Sequence, residues 1–209
     1  SIIEINSNIN KVALSSVVPN LTKLYTEYYL KRYNISPIVI DHSNCGIKLD
    51  VENPMEVGPD RICNVFAASR LVKGPIIVVD CGSATTYDII DKNGHFIGGA
   101  IAPGIDVSAN NLIQKAALLK ETAFTFPDSV IGKNTITNLQ SGIMFSGLDA
   151  VEGMLKRISN ELDGEINIYL TGGFSSIISE KLEISHKLLP MLTLDGIRLI
   201  SEKINSWEK

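Results

Sequence analysis

The sequence of 209 residues predicts an α/β fold built around a central mixed sheet. Its first third shows a strand, a helix and a strand in succession, the order of a parallel α/β unit. From residue 74 onward, three strand patterns joined by short turns are followed by helix, strand, helix, strand and helix. This length allows one large or two small domains with a buried core.

The first third predicts strands at 11–18 and 36–41 and a helix at about 20–33. Pro19 stands at the start of that helix, where a missing backbone N–H is harmless. Apolar and aromatic residues recur along it at helical spacing, so we expect this stripe to pack in the core or in an interface. The stripe consists of Leu21, Leu24, Tyr25, Tyr28 and Tyr29.

A loop over 42–56 leads to a helix predicted at about 60–73. Asp60 stands where an N-cap residue belongs, and capping is its default role. A second role is open, because Asp60 and Arg61 follow Gly58 at a helix N-terminus. A carboxylate and a guanidinium placed there could accept a proton from a hydroxyl and bind a carboxylate.

The run 75–79 is rich in β-branched residues and predicts a buried strand that ends at Asp80. The turn after it contains Gly82, which can adopt φ > 0, and the small residue Ser83. Exposed N–H groups and hydroxyls in such a turn suit a phosphate. A plain β-meander with a glycine bend is the alternative, since a single short motif is weak evidence.

Two further strands are predicted at 85–91 and 95–102, joined by the hairpin signal Asn93-Gly94. The second contains the pair Gly98-Gly99. Together with the acid at the end of the preceding strand, this pair favours a backbone surface kept bare for a ligand over a plain meander.

Pro103-Gly104 ends the meander, and helices are predicted at about 108–119 and 135–162. Thr135 suits the N-cap of the long helix. Three small residues recur at four-residue spacing on this helix, so another backbone can approach it closely, in the same chain or in a second subunit. They are Gly142, Ser146 and Ala150.

The strand predicted at 166–170 runs into Gly172-Gly173, and a helix starts at Ser175. This order is how α/β proteins place a ligand at the carboxyl end of a sheet, although an ordinary βα turn is the alternative. A last strand is predicted at 188–194, followed by a helix capped by Asp195 and running through Trp207.

Composition argues against several classes of protein. The net charge of −4 and the lack of a basic stripe disfavour a nucleic-acid partner. No apolar run reaches the roughly 20 residues that span a membrane, and no signal peptide is visible, so we expect no membrane association.

Cys45, Cys63 and Cys81 form no CxxC pair and predict free thiols in the reducing cytoplasm. Three isolated histidines, His42, His95 and His186, indicate no metal cluster.

The order of elements from residue 74 resembles the ribonuclease-H-like unit that actin-like ATPases and sugar kinases contain twice, with ATP held between the two copies. On this resemblance residues 1–59 are a remnant of the first copy that lacks its meander. Residues 60–209 are then a linking helix and a complete second copy. The expected fold is a duplicated actin-like ATPase fold whose first half is incomplete in this chain.

Several ordered motifs also resemble one family within that fold, the type III pantothenate kinases. Their number and spacing are more specific than any single motif. The matching segments are 14–19, 53–54, 57–61, 80–88, 98–104, 132–135, 140–142 and 171–173.

The resemblance implies a reaction, ATP-dependent phosphorylation of pantothenate, the first step towards coenzyme A. It implies that Asp60 is the general base. Pantothenate would be bound by Gly58, Pro59, Asp60, Arg61 and Thr135, and ATP by Gly82, Ser83, Gly172 and Gly173. Asp80 would bind a monovalent cation, K⁺ or NH₄⁺, while Mg²⁺ would accompany the ATP. A homodimer is expected.

The sequence departs from the family pattern in four ways. A first strand carrying Asp-x-Gly-Asn-Thr is missing from this chain, so either the chain is partial or ATP binding is impaired. Val51 stands where the family usually has Tyr, Ser83 replaces Thr, and Pro59 replaces a small residue.

These departures leave a second function open, that of a non-catalytic accessory or regulatory protein. Joint retention of four residues favours the enzyme, because a non-catalytic relative has no physical need for all of them. The four are Asp60, Arg61, Asp80 and Thr135.

Overall fold

A computed structural model describes residues 9–115 and 122–207. Its helices are α1 (Pro19–Tyr33), α2 (Pro59–Ala68), α3 (Ile105–Lys115), α4 (Thr135–Ser159), α5 (Ser175–Ser179) and α6 (Leu192–Trp207), with a 3-10 turn at Pro54–Glu56. Its strands are β1 (Ala13–Leu14), β2 (Ile38–Val39), β3 (Ile76–Cys81), β4 (Ala84–Ile90), β5 (Phe96–Pro103), β6 (Asn167–Thr171) and β7 (Lys187–Leu188).

The five-stranded sheet has the order β5-β4-β3-β6-β7. Strand β4 is antiparallel to β3 and β5, whereas β6 and β7 run parallel to β3 and to each other in the ladder. This mixed sheet confirms the predicted ribonuclease-H-like order of three antiparallel strands followed by two parallel ones. A separate two-stranded parallel sheet joins β1 to β2. The division at residue 59 into two halves stays a prediction.

Strand β3 is buried on both faces because helices cover both sides of the sheet. Ile76 and Val78 belong to the core that includes residues of α2 and α6, whereas Ile77 and Val79 belong to the core that includes residues of α4. Such two-sided burial explains why the strand is a continuous apolar run rather than an alternating one. The period of two then places Asp80 on the face that α2 covers.

Three predicted helix caps were wrong. Helix α2 begins one residue before Asp60, with Gly58 as N-cap and Pro59 at the first position, where proline's fixed φ suits the helix. Asn134 caps α4 through a capping box with Thr137, so Thr135 is already helical. Helix α6 begins at Leu192, which places Asp195 in its first turn.

Several element ends also differ from the prediction. The last strand stops at Leu188, and α2 ends at Ala68 rather than near residue 73. Helix α3 begins at Ile105, three residues early, and residues 116–119 of the predicted helix lie outside the described residues. Element type followed the local pattern, but the ends were decided by tertiary contacts and caps.

Of the two expected places for the α1 stripe, the core and an interface, the structure excludes the core of the described chain. The helix has no buried residue, and Leu24 and Tyr25 are 60% and 49% exposed. Its tyrosines contact each other instead, with the rings of Tyr28 and Tyr29 at 5.3 Å. The four residues of β1 and β2 form too small a sheet to cover this face.

Two predictions about side-chain chemistry and membranes can be compared with the structure. Cys45, Cys63 and Cys81 are free thiols, as predicted, and the structure shows that all three are buried. Across residues 9–115 and 122–207, no helix combines the length and the apolar character needed to cross a bilayer.

Candidate functional site

Polar side chains gather at the carboxyl end of the central strands, on the face covered by α2. Asp80 of β3 lies opposite Thr86 of β4 and opposite Thr171 of β6 in the two ladders. The first turns of α2 face this end of the sheet and supply Asp60 and Asn64, one helical turn apart. The site is therefore built by one helix N-terminus and three adjacent strands.

Asp80 is held by a short chain of hydrogen bonds. Asn64 is completely buried and donates from Nδ2 to Asp80 Oδ2 at 2.9 Å. Thr193 of α6 donates to Asn64 Oδ1 at 2.7 Å, which fixes the orientation of the amide. Burial raises the pKa of Asp80, the Asn64 bond opposes that rise, and repulsion from Asp60 adds to it.

Glycines surround the other carboxylate oxygen of Asp80. Gly172 has φ +91°, and a Cβ added there would lie 2.3 Å from Asp80 Oδ1 and 2.7 Å from the Cys81 backbone nitrogen. At Gly82 the same atom would lie 3.4 Å from Oδ1. The Phe174 N–H donates to the Cys81 carbonyl at 2.9 Å and ties the turn after β6 to the end of β3. The structure therefore brings Asp80, Gly82 and Gly172 together.

Ser83 and Gly173 lie at the solvent-exposed edge of the same cluster. Nothing lies within 4 Å of a Cβ added at Gly173, so its backbone faces open space. The Gly104 N–H donates to the Ser83 carbonyl at 3.0 Å, and a Cβ added at Gly104 would lie 2.2 Å from the Gly82 carbonyl oxygen. Gly104, which the sequence marked merely as a break, is thus needed to support this turn.

Asp60 is exposed at the second position of α2. Its Oδ1 accepts a hydrogen bond from the Arg61 N–H at 2.8 Å and lies against Gly58, where a Cβ would approach it to 2.5 Å. Asp60 stands in the first turn of α2, where an acidic side chain interacts favourably with the helix dipole. Gly58, Pro59 and Asp60 therefore present an accessible base at the helix start.

Arg61 turns inward, towards β4. Its Nε donates to Asp88 Oδ1 at 2.7 Å and its Nη2 lies 2.6 Å from the same oxygen. Asp88 is completely buried, and Thr86 donates to its Oδ2 at 3.2 Å. Burial raises the pKa of Asp88 to about 6, although Arg61 opposes the rise. Arg61 therefore forms an ion pair with Asp88 through Nε and Nη2, and its Nη1 group takes no part in that pair.

Sequence reasoning missed Asn64 and Asp88. Each carries a weak signal that could have found it, namely a polar residue inside an otherwise apolar stretch. Asn64 interrupts the buried face of α2, and Asp88 interrupts the apolar end of β4. Buried polar groups require partners, so both positions pointed to contacts with other elements.

Thr135 is not part of this cluster. It is the exposed first residue of α4, and within the described residues no hydrogen bond or ion pair joins it to Asp60 or Arg61. Of the predicted site residues, all but Thr135 lie at the carboxyl end of the central strands or at the α2 N-terminus.

The oxygens around Asp80 suit a hard cation. The Thr171 hydroxyl is buried and has no hydrogen-bond partner among the described residues, and Thr171 is the direct ladder neighbour of Asp80. No hydrogen bond to Asp80 Oδ1 arises from the described residues. Hard cations prefer carboxylate, hydroxyl and carbonyl oxygens, so this donor set fits one.

Comparisons with known proteins agree on one family. Residues 2–157 match the family model described as type III pantothenate kinase. A type III pantothenate kinase of Moorella thermoacetica is 41% identical over 196 residues, which cover 93% of this chain and 77% of that protein. The corresponding protein of Sulfurihydrogenibium sp. is 39% identical, with 94% and 78% covered.

A solved structure resembles the whole chain. It is a conserved Baf family protein from Campylobacter jejuni, described as a transcriptional activator, with a TM-score of 0.62 and 20% identity. The match covers 95% of this chain and 85% of that protein. At this identity the likeness shows the fold alone.

Proposed function

The chain belongs to the type III pantothenate kinase family, and from that membership we propose that it transfers the γ-phosphoryl group of ATP to pantothenate. The product would be 4′-phosphopantothenate, on the route to coenzyme A. The observation that carries the proposal is the exposed Asp60 carboxylate at the start of α2, the helix whose Asn64 contacts Asp80.

Asp60 is proposed as the general base. Its carboxylate accepts the proton of the primary hydroxyl of pantothenate as that oxygen attacks the γ-phosphorus, and ADP leaves. Protonated Asp60 then returns the proton to solvent. An exposed carboxylate is suited to this exchange, because base and water are in contact. In phosphoryl transfer, positioning and charge stabilisation supply most of the rate.

Gly58, Pro59, Arg61 and Thr135 are proposed to bind pantothenate with Asp60. The substrate ends in a carboxylate, and the fork of Arg61 is the guanidinium at the α2 N-terminus that can meet it. In the described residues Thr135 lies outside the cluster around Asp60. Its assignment therefore rests on the family resemblance and not on a contact.

The turn residues Gly82, Ser83, Gly172 and Gly173 are proposed to hold ATP. The absence of side chains at the three glycines lets a phosphate approach the backbone closely. The Gly82 N–H already donates to the Ala84 carbonyl at 3.1 Å, so Gly82 offers space and not a free donor. Support comes from their geometry: Gly82 and Gly172 contact Asp80, while Ser83 and Gly173 face solvent beside them.

A monovalent cation, K⁺ or NH₄⁺, is proposed at Asp80, with Thr171 Oγ1 as a further oxygen. When bound it supplies positive charge beside the transferring phosphate. Mg²⁺ is assigned to the ATP phosphates, in the usual manner of kinases. The role of Asn64 is to keep the Asp80 carboxylate oriented and ionised for the cation.

The protein is also proposed to be a homodimer and to reside in the cytoplasm. The small residues Gly142, Ser146 and Ala150 line an apolar cavity of about 500 Å³ between α3 and α4, and nothing lies within 4 Å of a Cβ added at Gly142. No helix of the described chain fills this cavity, so a second subunit is the proposed neighbour. The three free, buried thiols suit a reducing compartment.

The test is a phosphorylation assay with pantothenate, MgATP and KCl, on the wild type and on Asp60→Asn. We expect product formation to fall about 10²- to 10⁴-fold in the variant, with unchanged thermal unfolding. Asp106→Asn is a matched control, since Asp106 lies in the first turn of α3 and accepts from the next N–H at the same 2.8 Å. A wild-type chain that makes no product with ATP and K⁺ refutes the proposal.

A further inference from the structure

Asp88 carries a charge where charges are rare. It lies inside β4, is completely buried, and pairs in the ladder with Gly99 of β5. Burying a carboxylate is unfavourable unless a cation and hydrogen bonds compensate it. Both compensations are present, from Arg61 and from Thr86.

Three neighbouring residues restrict the guanidinium of Arg61. Asp88 Oδ1 engages Nε and Nη2, at 2.7 Å and 2.6 Å. The ring of Phe96 lies beside the guanidinium, with its centroid 5.4 Å from Cζ. Gly99 leaves room for the fork, since a Cβ there would lie 2.8 Å from Nη2 and 2.0 Å from the Tyr87 carbonyl oxygen. The sequence suggested that Gly99 leaves its backbone accessible to a ligand, but in the structure the space beside Gly99 is occupied by the Tyr87 carbonyl and by Arg61.

The ion pair with Asp88 does not use all the N–H donors of Arg61. A guanidinium has five N–H donors, and the described contacts with Asp88 use Nε and Nη2. Nη1 has no hydrogen-bond partner among the described residues, and the Arg61 side chain is 15% exposed. Because Asp88 fixes the Arg61 guanidinium along its Nε–Nη2 edge, the opposite edge has a defined direction. The arginine side chain therefore loses less conformational entropy when it binds a carboxylate.

We infer that Asp88 is a positioning residue that orients Arg61 towards the carboxylate of the acceptor substrate, an inference that rests on the proposed function. Asp88 itself does not touch the acceptor. Its contribution is to hold Nε and Nη2 in place, so that Nη1 stays available to the acceptor carboxylate. A purely structural ion pair would instead stabilise the fold and make no distinction between acceptors.

The discriminating experiment compares two acceptors in Asp88→Asn. One acceptor is pantothenate, and the other is the neutral analogue in which CH₂OH replaces the carboxylate. We expect KM for pantothenate to rise about 10- to 100-fold with kcat nearly unchanged, because uniform binding is lost. KM for the neutral analogue and for ATP should stay within about twofold.

Arg61→Gln and the double variant Arg61→Gln/Asp88→Asn complete the design. If Asp88 acts through Arg61, the double variant has the same KM for pantothenate as Arg61→Gln alone. Thr86→Val is the milder variant should Asp88→Asn fail to fold, since it removes just the bond to Oδ2. Its expected effect is a rise of about two- to fivefold, again for pantothenate alone.

Equal changes for both acceptors, or no change for either in a folded variant, overturn the inference. That result leaves the proposed function intact, because wild-type turnover is measured in the same assay. If the wild type phosphorylates neither acceptor, the proposed function is wrong and the positioning role is rejected with it.

Discussion

Asn64 Nδ2 lies 2.9 Å from Asp80 Oδ2 and joins the helix that carries Asp60 to the central strand. Thr193 Oγ1, 129 residues further along the chain, donates to the carbonyl oxygen of the same amide. With that oxygen engaged as an acceptor, Asn64 can offer just its NH₂ group to Asp80. The amide therefore favours the ionised carboxylate and couples α2, β3 and α6 at the site.

Asn64→Leu tests how much this amide contributes to stability and to the pKa of Asp80. The change leaves Asp80 without its donor in a buried position, so we expect the free energy of unfolding to fall by about 1–3 kcal/mol. The pKa of Asp80, which burial already raises, should rise further. Urea denaturation measures the first effect, and K⁺ activation of turnover, shifted to higher pH, measures the second.

Thr193→Val is the control for that experiment. It removes the outer bond to Asn64 but leaves the bond to Asp80, so its effects should be smaller in both measurements. Equal K⁺ activation profiles in the wild type and Asn64→Leu would show that the amide does not influence Asp80.

Gly172→Ala and Gly173→Ala form a matched pair of neighbours. The first places a Cβ 2.3 Å from Asp80 Oδ1 at φ +91°, whereas the second places it in open space. We expect Gly172→Ala to lower the unfolding free energy by about 2 kcal/mol or more and Gly173→Ala to change it by less than about 0.5 kcal/mol. Thermal unfolding of both variants is the measurement.

The same pair separates stability from nucleotide binding. Because Gly173 is proposed to contact ATP, Gly173→Ala should raise KM for ATP while the protein stays as stable as the wild type. A Gly172→Ala variant as stable as Gly173→Ala would contradict the close contact with Asp80.

Asp88 predicts a pH dependence of stability. Its pKa is raised from the ordinary 3.8 to about 6 by burial, so between these values the folded chain holds a proton that the unfolded chain has lost. The stabilisation from this group is fully present below pH 3.8 and is lost as pH rises through about 6. The change corresponds to about 3 kcal/mol.

Asp88→Asn lacks this titration. The unfolding free energy of the variant, relative to the wild type, should therefore increase by about 3 kcal/mol between pH 4 and pH 7. Urea denaturation at five pH values measures the difference, and a difference independent of pH would show that Asp88 is ionised throughout. Asp106→Asn serves as the comparison, since it removes a carboxylate elsewhere on the chain.

Gly142→Leu tests the proposed dimer. A Cβ added at Gly142 meets nothing within 4 Å, and leucine is the better helix former inside α4, so the variant should not lower the stability of the single chain. If a second subunit packs there, the variant should sediment as a monomer at micromolar concentration while the wild type sediments as a dimer. Gly147→Leu is the contrasting variant, because a Cβ there would lie 3.0 Å from Ile105 and should destabilise the fold itself.

Local patterns were sufficient to predict most elements and the centre of the site. The apolar run of β3, the hairpin signal and the end of β6 at Thr171 depend on near neighbours, and periodicity shows such neighbours directly. The end of β3 was predicted one residue early, at Asp80 instead of Cys81. Helix starts were less well predicted. Asp60, Thr135 and Asp195 all suit an N-cap, but proline geometry, a neighbouring Asn and the turn before α6 decided the true starts.

By itself, then, the sequence determined the strands around Asp80 and the glycine-containing turn after it, because short-range sterics and alternation specify them. Tertiary structure alone decided the partners. Arg61 meets Asp88 27 residues away, and Thr193 reaches Asn64 across 129. Such contacts arise because buried charges and amides must be satisfied by whichever element packs beside them, and packing is a property of the whole fold.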